Sequence, residues 1–199
     1  GICGFHAGWT RFLLATVHIT WGESHKASPA RVKEIEAIAK FLYKRSLDED
    51  AWARNIVLLG DFNIFSPDDD TFAALSAGHF EVCEALQQRP SNAGKTRHFD
   101  QIALRRRKGS LEPTGKAGVF DYYQSVFAES DEKTYAKAMG PAYLQTSKGT
   151  RRSAKAKSTF YRSTWRTYQM SDHLPMWIEL RIDHSDAYLK RLHDQAKPG

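Results

Sequence analysis

Asn55-Ile56-Val57-Leu58-Leu59-Gly60-Asp61-Phe62-Asn63 is a short apolar run that stops at a glycine and then delivers a carboxylate and a carboxamide two residues apart. The run reads as a strand. Because strand side chains alternate in direction, Asp61 and Asn63 face the same side, beyond the edge of a sheet. Asp and Asn also favour turns after strands, so this stretch alone would serve as a turn cap. A second stretch argues for more. Ser171-Asp172-His173-Leu174-Pro175 sets a carboxylate beside an imidazole, just before Met176, Ile178, Leu180 and Ile182, which alternate at the strand period. Two sheet edges thus present titratable groups where a packed core would supply apolar ones.

Between and around these stretches the pattern is mixed. Arg11 to Thr20 reads as a strand carrying His18 near its end. Ser28-Pro29 is an N-cap with a first-turn proline, and Val32, Ile35, Ala39 and Leu42 recur at helical spacing up to about Ser46. Asp68, Asp69 and Asp70 lack the spacing and the distal Glu of a calcium loop and fit the N-cap of a short helix. Glu81 to Leu86 suggests a helical turn, and Arg97 to Leu104 a strand holding Asp100. Val119 to Phe127 fits strand or helix equally, and Tyr188 to His193 a short terminal helix. The fold class is α/β, layered, with no repeat or linker to divide residues 1–199 into more than a single domain.

Composition narrows the classes further. With 41% hydrophobic residues the 199-residue chain can bury one substantial core. No run approaches the roughly 18 apolar residues of a membrane span, and no signal peptide is visible, so a cytoplasmic setting is expected. Cys3 and Cys83 have neither disulfide-framework nor metal-ligand spacing, which agrees with a reducing compartment. The net charge of +6 is uneven, and from Lys133 to Ser171 there is no acidic residue. Nine Lys and Arg side chains, Arg162 and Arg166 among them, alternate there with Tyr143, Phe160, Tyr161, Trp165 and Tyr168. Such a stretch suits a polyanion and makes Arg162 and Arg166 candidate substrate contacts; Lys148 to Lys157 reads equally well as a solvated loop.

Thr16-Val17-His18-Ile19, Leu59-Gly60-Asp61-Phe62-Asn63, Phe99-Asp100-Gln101-Ile102 and Ser171-Asp172-His173-Leu174-Pro175 resemble, in that order, motifs of the endonuclease/exonuclease/phosphatase superfamily, the deoxyribonuclease-I-like metal-dependent phosphoesterases. The resemblance runs from about Phe12 to Leu180. It implies a four-layer α/β sandwich, two mixed β-sheets packed face to face with helices outside, and a site at one end of the sheets. It also implies Mg2+, with Mn2+ as a substitute, as cofactor. In that scheme Asp61 orients or deprotonates the attacking water, with a share in the metal, and Asn63 donates to a phosphoryl oxygen. Asp172 is a metal ligand or supports one. His173 contacts the phosphate or exchanges a proton, Asp100 fixes its tautomer and raises its pKa, and His18 is a further phosphate contact and general acid.

A complete member of that family starts with a region whose strands deliver an Asn and then a Glu that is the principal metal ligand. Nothing in Gly1 to Arg11 resembles either motif, and Glu23 follows the wrong strand to replace that Glu. The expectation is an N-terminally incomplete domain with an uncovered sheet edge, completed by a second copy in a homodimer or by a partner chain. Two functions follow: a phosphoesterase, nuclease-like in its substrate, or an impaired relative that binds a polyanion or a protein through the same scaffold.

Overall fold

A computed structural model of the chain describes residues 1–22 and 28–196; Glu23 and His25 lie outside the described residues. The protein is an α/β sandwich built on a five-stranded mixed sheet. Its strands are β1 (Ile2–Ala7), β2 (Thr10–His18), β3 (Asn55–Asp61), β4 (Glu81–Val82) and β5 (Asp100–Arg105), in the order β1-β2-β3-β5-β4. β2 and β3 run parallel and the other pairs antiparallel. The parallel pair requires a crossover, supplied by helix α1 (Pro29–Leu47). A second sheet is the antiparallel pair β6 (Glu112–Val119) and β7 (Met176–Arg181).

The central strand behaves as its composition demands. Ile56, Val57 and Leu58 of β3 are buried, in one cluster with Ile35, Ala39 and Leu42 of α1. Helix α2 (Asp70–Ala77) adds Ala74 and Leu75, and Met176, Ile178 and Leu180 of β7 pack on the same cluster. Far from the strand ends that carry the titratable groups, polar side chains lock the layers together. The Thr10 hydroxyl reaches the carbonyl oxygens of Ser110 (2.6 Å) and Ile182 (2.8 Å). The Asn55 carboxamide donates to the Arg11 carbonyl (3.0 Å) and the Ser110 hydroxyl (2.6 Å), and accepts from the Arg107 amide (2.8 Å).

Several elements differ from the sequence reading. β1 is an edge strand, exposed except at Ala7, and periodicity cannot register a strand with a single packed ring, Phe5 on Phe12 at 5.4 Å. β6 carries Pro113, Gly115 and Gly118, which weaken any strand signal; it pairs across a bulge between Pro113 and Ala117. Glu81 to Leu86 divides into β4 and a short helix, α3 (Glu84–Gln87). Val119 to Phe127 is the end of β6 followed by a 3-10 turn at Tyr122–Gln124.

The basic stretch is mainly helical: α4 (Glu132–Met139), α5 (Pro141–Leu144), α6 (Ala154–Phe160), a π-type turn at Tyr161–Trp165 and α7 (Arg166–Gln169). Ser153 caps α6 by accepting from the Ala156 amide (3.2 Å), so the expected loop is helical from Ala154 on. Phe127, Tyr135, Tyr161 and Trp165 pack into a local core, with Tyr135 and Trp165 rings 5.3 Å apart. Most rings of this segment therefore hold its helices together. Helix α8 (Ser185–Ala196) closes the described chain with no buried residue. No helix among the described residues is long and apolar enough to cross a membrane.

Gly60 is where β3 departs from ordinary geometry. Its φ is +140°, and a Cβ there would overlap the Val17 carbonyl oxygen. Gly60→Ala is expected to cost about 2 kcal/mol or more of stability. The check is a lower urea midpoint at unchanged slope; an unshifted midpoint would show that the end of β3 is not held as described.

Candidate active site

The strand register assembles most of the site. His18 of β2 pairs with Asp61 of β3, and Asp61 pairs with Asp100 of β5, so three titratable residues form one row across three strands. Past Asp61 the chain leaves the sheet: Asn63 adopts a left-handed conformation (φ +52°), and its amide donates to Asp61 Oδ1 at 2.8 Å. That bond ties down one carboxylate oxygen and leaves Oδ2 facing the imidazoles, 3.5 Å from His18 Nε2 and 3.9 Å from His173 Nε2.

His173 arrives from the other side. Its Nδ1 lies 2.8 Å from Asp100 Oδ2, so Asp100 orients the ring and presents Nε2 to Asp61. Asp172 Oδ1 is 4.0 Å from the same Nε2, on an exposed side chain. The loop that carries the motif is clasped through its main chain. The Tyr122 hydroxyl donates to the Ser171 and His173 carbonyls (2.8 and 2.9 Å), and that of Tyr123 lies 2.8 Å from the Ser171 carbonyl. On the opposite flank the Leu174 amide donates to the Ser91 carbonyl (2.6 Å), and the Ser91 hydroxyl accepts from the Asp100 amide (2.9 Å). Sequence reasoning missed these anchors. The two tyrosines lie in the stretch of ambiguous period, and Ser91 has no motif around it.

Electrostatics follow from the crowding. Burial pushes the Asp61 carboxyl above the usual range, against the opposing effects of the Asn63 amide and the His173 charge. The Asp100 hydrogen bond raises His173 to about 9, with Asp61 and Asp172 adding to it. His173 is thus an imidazolium at neutral pH. Asp61, Asp100 and His173 bring ligand atoms within 4.8 Å of one another, a geometry that could hold a metal ion if the imidazole gives up its proton.

Two expected substrate contacts, Asn63 and Arg166, are buried with donors committed to main-chain carbonyls, and a third, Arg162, lies at the surface. Asn63 is 3% exposed and its carboxamide nitrogen donates to the Ile19 carbonyl (2.6 Å), joining the ends of β2 and β3. Since its amide also holds Asp61 Oδ1, Asn63 ties that carboxylate to the end of β2. Arg166 is 7% exposed; it donates to the Arg162 and Phe127 carbonyls (3.0 and 3.3 Å) and stacks 4.2 Å over Tyr123. Its charge is spent on holding Tyr123. Arg162 lies further out, 3.4 Å from Glu129, on the wall of a cleft of about 880 Å3 that Lys95 and Asp172 also line. His18, by contrast, has a side chain 79% exposed and is free to meet a substrate.

No protein-family model matches the chain, and no curated protein matches it in sequence. Among solved structures it is similar to a conserved protein of unknown function from Enterococcus faecalis (14% identity, TM-score 0.44, 87% of this chain and 51% of that one). It is similar also to a mannosyl-6-phosphatase from Bacteroides thetaiotaomicron (12%, 0.45, 87% and 52%). A third is D. rerio TDP2 complexed with a single-strand DNA product (14%, 0.47, 90% and 60%). The chain spans between about half and three fifths of the length of these structures.

Because the His173 pKa is raised on folding, its pairing with Asp100 stabilises the protein in full below the unfolded value of about 6.5 and is lost as pH rises through about 9. Asp100→Asn, metal-free, is therefore expected to cost about 1 to 3 kcal/mol near pH 6 and much less above pH 9. Urea denaturation across that range checks the trend, and a pH-independent difference would contradict the pairing.

Proposed function

We propose that this chain is a hydrolase that cleaves phosphoesters with the help of a divalent cation, Mg2+ or Mn2+, and that its substrate is nucleic acid. The observation that carries this reading is the convergence of Asp61, Asp100 and His173 at one sheet end, with His18 in the same row.

The donor set suits a hard cation. His173 Nδ1 is engaged by Asp100 and its ring is protonated, so the oxygens of Asp61 and the exposed Asp172 would hold the ion, with water completing its shell. When bound, such an ion neutralises charge on the phosphoryl group and polarises it. The side chains supply the rest. Asp61 Oδ2, whose basicity burial has increased, orients the attacking water and accepts its proton. His173 Nε2 donates to a phosphoryl oxygen as negative charge builds there. His18 gives a proton to the leaving oxygen as the bond from phosphorus to that oxygen breaks. Nucleic acid is favoured by the run from Lys133 to Ser171, which has nine cations and no acidic residue.

The alternative is a relative that binds a polyanion without turnover. It draws on the absence, among the described residues, of a glutamate in the cluster of Asp61, Asp100 and His173. Relaxation of supercoiled plasmid and cleavage of labelled oligonucleotides, with Mg2+ or Mn2+ and with chelator, separate the two. Hydrolysis is expected to need the metal and to fall about a hundredfold or more in Asp61→Asn and in His173→Ala. Activity that survives both substitutions would overturn these assignments, and salt-sensitive DNA binding with no turnover at either metal would establish the alternative.

A further inference from the structure

Aromatic rings in contact lead away from His173. The Phe99 ring centroid is 5.5 Å from that of His173, and Trp21 stands edge-on to Phe99 at 5.6 Å. Phe65 closes the group, 5.5 Å from Trp21 and 5.6 Å from Phe99. Phe65 is buried, whereas Trp21, on the segment just after β2, is 46% exposed. The Trp21 ring is held from behind. Arg31, fully buried, donates to the Trp21 carbonyl and lies 5.8 Å from the indole centroid and 5.3 Å from that of Phe65. A second guanidinium, Arg97, sits 4.8 Å over Phe65.

An indole fixed in this way presents apolar surface to water in an orientation set before any ligand arrives. What sets this ring apart from the other exposed tryptophans is its contact, through Phe99, with His173. In a nucleic acid each phosphate is joined through one sugar to a base, so a phosphate bound at His173 brings that base to the adjoining rings. Every base has a π-face, and stacking on an aromatic side chain contributes about 1 to 3 kcal/mol per base. A base already paired and stacked in a duplex must first be extracted, at a cost of about a few kcal/mol.

Resting on the phosphoesterase reading, we propose that Trp21, with Phe99, is a stacking site for the unpaired base next to the scissile phosphate, and that single-stranded nucleic acid is the substrate class. A sugar phosphate or an inositol phosphate has no aromatic ring to stack on this platform.

Binding in the presence of chelator tests the proposal apart from catalysis. The probes are a fluorescent oligothymidylate and a phosphodiester backbone of equal length whose sugars carry no base, compared by anisotropy. The protein is expected to bind the oligothymidylate about tenfold more tightly. Trp21→Ala is expected to erase that difference and to leave affinity for the baseless backbone unchanged, while Trp21→Phe keeps most of it. Equal binding of the two probes by the unmodified protein, or a preference that survives Trp21→Ala, would overturn the proposal. The comparison of probes on the unmodified protein decides the matter even if Trp21→Ala does not fold. Loss of hydrolysis with the base preference intact would count against the catalytic reading alone.

Discussion

Two carboxylates at one sheet end repel each other and lose solvent, and a cation beside them offsets both costs. His173 is that cation. It lies 2.8 Å from Asp100 and 3.9 Å from Asp61, and without its charge the row across β2, β3 and β5 would be an electrostatic fault at the end of the central strand. The same arrangement gives the groups their chemical character. Asp61 is more basic than a surface carboxylate, and His173 holds its proton well above the pH at which a free imidazole releases it. The contacts that balance charge at the sheet end are the same ones that set the acid-base character of the row.

The helical stretch of residues 132–169 is joined to this balance through a short relay. Arg166 packs on Tyr123, Tyr123 and Tyr122 hold the Ser171 carbonyl, and the next two residues are Asp172 and His173. The basic surface and the site are therefore mechanically continuous, and both Arg162 and Arg166 line the cleft that Asp172 borders.

What could be read in the sequence was what depends on neighbours along the chain. The apolar run ending at Gly60 and Asp61, the α1 periodicity and the alternation of Met176 to Leu180 are local, and each became the element its pattern implied. The pairing of Asp100 with His173, which the resemblance implies, is a 2.8 Å contact in the structure. The remainder depends on tertiary contacts. β1 and β6 exist because a neighbouring strand pairs with them, not because their residues favour extension. Asn63 and Arg166 look like polar reagents in a string of letters, and only burial reveals that their donors are committed to main-chain carbonyls. Trp21 carries no motif, and its place beside Phe99 arises because the end of β2 and the start of β5 both pair with the end of β3.

The order of the chain adds a temporal consequence to the row of His18, Asp61 and Asp100. A ribosome releases these three residues well before it makes His173, which lies 73 positions beyond Asp100. In order of synthesis the row of three is made before the imidazole that pairs with Asp100, so its electrostatic partner is the last of these four residues to be added.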